Sequence, residues 1–142
     1  ATRLEPRYQV GYRHKAAFAI LAGRDGVAQA EIEHLRQNFA GRGASPDEYW
    51  DILADAYFRA KKLREAAELY QETVDFFEKK RASGEAIDRK ALAGRYARMA
   101  ALWAMAGEKN RAYEAALKVV EYDPARRGEA EAFLKTIQRK LP

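Results

Sequence analysis

Cysteine is absent from these 142 residues. Neither a disulfide framework nor a thiolate metal site can therefore hold the chain together. The absence is neutral on compartment, because a reducing cytosol and an oxidising exterior both tolerate a cysteine-free chain. Histidine occurs only at His14 and His34. They fall on different expected helices without ligand spacing, so no metal or cofactor is expected. No apolar run approaches the roughly 18 residues of a membrane span; Ala16 to Ala22 is far too short. Ala1-Thr2-Arg3 lacks an initiator methionine. That fits a removed signal peptide and a trimmed boundary alike, so cytoplasmic and exported, periplasmic locations both stay open.

Proline stands only at positions 6, 46, 124 and 142. Between these prolines and the glycines the apolar periodicity is helical, and no stretch alternates as a strand would. The length suits one domain, burying about 68–70% of its unfolded surface. The net charge of +5 is uneven: +3 over residues 1–46, −2 over 47–92 and +4 over 93–142. Basic ends around an acidic middle argue against one uniform cationic sheet for nucleic acid.

Seven helices are expected. The first runs from Tyr8 to Ala22 and stops at Gly23-Arg24-Asp25-Gly26; the second runs from Val27 to Phe39. Ser45-Pro46-Asp47-Glu48 is a start signal for the third: a cap, a proline at the first helical position, and an acid that completes a capping box. That helix ends near Ala60-Lys61-Lys62. Arg64 to Lys80 forms the fourth, broken by Ser83-Gly84. The fifth starts near Ala86 to Asp88 and reaches Met105, with Gly107 as a left-handed cap. The sixth covers Asn110 to Tyr122 and stops before Asp123-Pro124. The seventh runs from Arg126 to Lys140.

Two stretches repeat one pattern 46 positions apart. Trp50, Leu53, Ala54, Tyr57 and Ala66 in the first answer Tyr96, Met99, Ala100, Trp103 and Ala112 in the second. Trp50, Leu53 and Tyr57 lie on one face of a helix, with Ala54 and Ala66 small where two helices cross closely and large aromatics filling the space beside them. The pattern resembles the tetratricopeptide repeat, whose signature is W-x2-L-G-x2-Y…A-x3-F…P. Tyr70 in the first copy, and Gly107 and Pro124 in the second, extend the match, which covers about residues 47–142. Alanine replaces the usual glycine twice, Ala116 stands where a large aromatic is common, and Glu78 stands where the first copy would have its proline. The spacing exceeds the family's 34 residues, with the excess between Phe77 and Ile87. In this it looks like the long-armed repeats of kinesin light chains.

The resemblance implies an all-α stack of antiparallel hairpins in a short right-handed superhelix. A degenerate N-terminal hairpin would occupy 1–44, the repeats 47–82 and 86–126, and a capping helix 127–142. It also implies a concave groove lined by the first helix of each hairpin. Carried onto this chain, one groove stripe is Glu48, Asp51, Asp55, Phe58 and Arg59. The other is Gly94, Ala97, Ala101, Ala104 and Met105. Family members that clamp a terminal carboxylate use Lys and Asn there; Asp51 and Asp55 would repel that ligand. A basic or neutral, partly apolar protein segment fits better. The small second stripe could admit a partner helix or receive the chain's own last helix.

The expected function is a non-catalytic protein-binding scaffold or adaptor. Ser45 and Ser83 sit at helix boundaries without a nucleophile motif, and Gly23 to Gly26 reads as a turn rather than a phosphate loop. Basic clusters at Arg13-His14-Lys15, Lys79-Lys80-Arg81, Arg126-Arg127 and Arg139-Lys140 keep RNA, DNA or an anionic membrane open as alternatives. Self-association that covers exposed apolar ends is a third.

Overall fold

A computed structural model describes the backbone of residues 6–38 and 50–142, and side chains of 13–37 and 50–142. The fold is all-α, with seven helices among the described residues. These are α1 (Pro6–Leu21), α2 (Asp25–Asn38), α3 (Trp50–Arg59), α4 (Leu63–Ala82), α5 (Arg89–Met105), α6 (Lys109–Tyr122) and α7 (Arg127–Thr136), the last preceded by a 3-10 turn, Pro124–Arg126. The start signal at Ser45 to Glu48, and Phe39, lie outside the described residues.

One turn geometry recurs. After α1 the amide of Gly23 donates to Ile20 O and that of Arg24 to Ala19 O. Equivalent pairs follow α3 at Lys61 and Lys62, α4 at Gly84 and Glu85, α5 at Gly107 and Glu108, and α7 at Gln138 and Arg139. Each is a Schellman closure that satisfies carbonyls the helix end would leave bare. Its central residue needs a positive φ, seen at 74° for Gly23, 85° for Gly84 and 82° for Gly107. Lys61 and Gln138 adopt 62° and 60° without being glycine, at a cost of about 1–2 kcal/mol each.

That geometry corrects two expected boundaries. The seventh helix stops at Thr136 rather than Lys140, because the closure at Gln138 ends it while Ile137 is buried against the core. The fourth runs two residues past Lys80, since nothing breaks it before the closure at Gly84. The fifth is capped by Asp88, whose carboxylate accepts from the Ala91 amide at 3.0 Å.

By internal contacts the chain divides into two compact units, residues 1–73 and 74–142, with the division inside α4. In the first, α1 packs on α2 and α3. Its core holds Ile20, Ile32, Leu35, Trp50, Leu53 and Tyr57, with Ala54 and Ala66 fully enclosed among them. In the second, α5 packs on α6, and α6 on α7. Leu92, Tyr96, Met99, Trp103, Val119, Tyr122 and Leu134 fill its core, with Ala100 and Ala112 buried at the motif's small positions. Tyr70 is half-buried. Among the described residues, no helix is long and apolar enough to cross a membrane.

Candidate functional site

In the first unit a cleft of about 220 Å³ opens between α1 and α3. His14, Phe18 and Leu21 line it from α1; Ile52, Asp55, Ala56 and Arg59 line it from α3. The α3 residues share a face because they recur at three- and four-residue intervals. Two members of the first expected stripe, Asp55 and Arg59, thus meet in one depression. Phe58 sits one position before Arg59, outside the lining but 46% exposed, and Asp51 is half-buried. Glu48 lies outside the described residues.

The cleft's charge differs from the sequence expectation. Asp55 Oδ2 stands 2.9 Å from Arg59 Nε, so the acid is matched by a cation one turn along its own helix. Both groups are exposed, and the pair contributes little to stability. Its consequence is that the α3 wall presents a neutral pair rather than an acidic stripe. The apolar side of the wall is the more distinctive part. Phe18 is 74% exposed and Leu21 52% exposed, an apolar rim beside Ile52 and Ala56.

The second stripe has a different neighbour. Ala97 and Ala101 line a cavity of about 170 Å³ together with Ala116 and Val119 of α6 and Glu129, Ala130 and Phe133 of α7. A Cβ on Gly94 would lie 3.7 Å from the Arg126 guanidinium, which Glu129 holds through two contacts of 2.8 and 3.0 Å. The small residues thus face the chain's own last helix. Met105, at the far end of the stripe, is 59% exposed.

A polar cluster that sequence reasoning missed lies in the second unit. Glu78, on the added length of α4, accepts from the Tyr96 hydroxyl at 2.9 Å and from the Tyr122 hydroxyl. Lys118 Nζ stands 3.4 Å from the same carboxylate. The two tyrosine rings stack with centroids 6.0 Å apart. Arg81 donates to the Tyr122 hydroxyl at 3.0 Å, and Arg81 and Arg89 lie 5.3 and 5.0 Å over its ring. Burial alone would raise the Glu78 carboxyl; the hydroxyls of Tyr122 and Tyr96, with Lys118, outweigh it and hold it below the usual glutamate value. Burial, then the Glu78 hydrogen bond and charge, push the Tyr96 phenol far above its ordinary value. Tyr122 is raised for the same reasons, with Arg81 opposing. The signal available in the sequence was the glutamate standing where the repeat would have proline.

The basic clusters are largely engaged. Lys15 pairs with Glu31 at 3.0 Å, Arg126 with Glu129 and Arg127 with Glu131. Lys80 lies 4.9 Å over the Phe76 ring. Among the described residues no three His, Asp or Glu side chains gather as a metal set. Compared with models of known protein families, with curated proteins and with solved structures, the chain matches none.

Proposed function

We propose that the protein is a tetratricopeptide-like interaction module without catalysis, taking an apolar, neutral stretch of a protein partner in the α1–α3 cleft. One observation carries the reading: Phe18, a large apolar side chain, is 74% exposed at the cleft's rim. Solvated surfaces carry single apolar residues commonly, but Phe18 and Leu21 beside a concave lining fit a docking surface better. The volume narrows the ligand. A cleft of about 220 Å³ is below the roughly 300–1,000 Å³ of small-molecule sites, so it suits one or two partner side chains. The internal Asp55–Arg59 pair removes the reason for a strongly basic ligand and favours a neutral one.

The test is selection of displayed peptides on the wild-type protein, then affinity measurement on two variants. Phe18→Glu should weaken binding of selected peptides about tenfold or more while melting stays unchanged, because the side chain is exposed. Asp55→Arg should also weaken binding more than it changes stability. Selected peptides that bind both variants as tightly as wild type would return the cleft to an ordinary solvated face.

A further inference from the structure

A cavity of about 520 Å³ lies at the other end of the chain from the α1–α3 cleft and belongs to the second unit. It is built by the closure at Gln138, whose φ of 60° ends α7. The chain beyond then shares a lining with α7. Arg127, Glu131 and Lys135 recur at four-residue intervals along the helix, and Arg139, Lys140 and Leu141 add the other side.

Four cations and one carboxylate therefore meet in one depression. The carboxylate is already committed: Glu131 Oε1 accepts from Arg127 Nε at 3.0 Å. Arg139 donates to the Asn110 side-chain oxygen at 3.3 Å, a neutral acceptor. The side chains of Lys135 and Lys140 have no hydrogen-bond or ion-pair partner among the described residues. Three positive charges are left without a counter-charge inside a concave surface. A concave surface of one net sign focuses its field and attracts anions. The walls between the head groups are the Leu141 side chain and the aliphatic stems of the basic residues. The volume falls within the range of small-molecule sites.

We propose that this cavity binds a phosphomonoester carrying an apolar group. A dianion with three terminal oxygens matches two lysines and a guanidinium better than a single carboxylate would. The apolar body would lie against Leu141. The site is independent of the α1–α3 cleft and of the interaction reading attached to it. The ligand chemistry has two sources, a free phosphorylated molecule or the headgroup of a phosphatidic lipid.

The experiment titrates the full chain with phenyl phosphate at low salt, following amide shifts of residues 127–141 by NMR and heat by calorimetry. Saturable binding is expected, tighter for phenyl phosphate than for inorganic phosphate. The double variant Lys135→Gln, Lys140→Gln should weaken it about tenfold or more, with melting unchanged because both side chains are exposed. Lys135→Arg, Lys140→Arg should retain it. Cosedimentation with phosphatidylcholine vesicles, with and without phosphatidic acid, separates the sources. Binding to the acidic vesicles, lost in the glutamine variant, assigns the headgroup; binding to phenyl phosphate alone assigns a free ligand. Absence of saturation, equal affinity in the glutamine variant, or a single-stranded oligonucleotide that binds as tightly per phosphate would overturn the proposal.

Discussion

The two copies of the motif use the same two aromatics in opposite order, and each aromatic brings its own kind of partner. In the first unit Trp50 leads; the Arg36 guanidinium lies 5.4 Å over its ring, held there by Glu72 and Glu33. Tyr57 follows, and its hydroxyl accepts from Gln29 Nε2 at 3.1 Å. In the second unit Tyr96 leads and donates to Glu78. Trp103 follows, with Arg111 4.5 Å over its ring. A tryptophan face attracts a cation; a buried phenol requires a hydrogen-bond partner. The motif therefore sets where bulk is buried, while the identity of each aromatic selects what the neighbouring helix must supply. The same units differ in charge. Residues 1–73 hold eleven basic and eleven acidic groups, whereas 74–142 hold fifteen and ten, so the whole net charge of +5 lies in the second.

The largest expected effect tests the shared part of the pattern. Both tryptophans are buried, so Trp50→Ala and Trp103→Ala should each lower unfolding free energy by about 3–5 kcal/mol. Urea denaturation followed by far-ultraviolet circular dichroism measures it. A loss under about 1 kcal/mol at either position, well short of the core-truncation range, would show that the two copies do not bury equivalent aromatics.

A smaller effect tests what differs. Glu78→Ala leaves the O–H donors of Tyr96 and Tyr122 without their acceptor near the core, at a cost of about 2–3 kcal/mol. The pH dependence has two limbs. Glu78 is depressed in the folded state, so its contribution is present above the ordinary glutamate range and is lost as pH falls through and below it. Tyr96 and Tyr122 are raised; their contribution is complete below about pH 10 and declines as pH rises beyond it. The stability gap between wild type and Glu78→Gln should therefore narrow on acidification, and Tyr96→Phe should blunt the alkaline loss. A gap that stays constant from neutral pH down through the carboxylate range would detach Glu78 from the tyrosines.

How far the sequence disclosed these features follows from the range of the interactions. Gly23, Gly84 and Gly107 announced their turns because only glycine enters the left-handed region cheaply. The buried faces were legible from helical spacing, as Leu53, Ala54, Met99 and Ala100 show. Glu78 was visible only as a departure from the repeat. Its partners stand 18 and 44 positions away, and no local pattern encodes such distances. The cleft was half legible. Spacing placed Asp55 and Arg59 on one face, but the ion pair that neutralises them and the α1 wall that completes the depression are tertiary facts. The basic cavity was hidden because the closure at Gln138 lacks the glycine that would have marked it.

The smallest effect concerns the turns inside the two motif copies. Lys61 and Gly107 occupy equivalent positions, 46 residues apart, and their closures match bond for bond: Lys62 to Tyr57 and Glu108 to Trp103, each at 2.8 Å. Only the side chain differs, so the pair isolates the cost of a left-handed conformation. Lysine pays a steric penalty of about 1–2 kcal/mol there, partly offset because glycine loses more backbone freedom on folding, about 0.5–1 kcal/mol. Lys61→Gly should therefore stabilise by about 0.5–1 kcal/mol, and Gly107→Ala should destabilise by a similar amount from backbone strain alone, since no atom lies within 4 Å of the added Cβ to clash with it. Opposite signs in matched denaturation curves are the expected result. A Lys61→Gly variant less stable than wild type would mean that contacts of the Lys61 side chain outweigh the strain, and the two turns would then be alike in hydrogen bonding but not in what holds them.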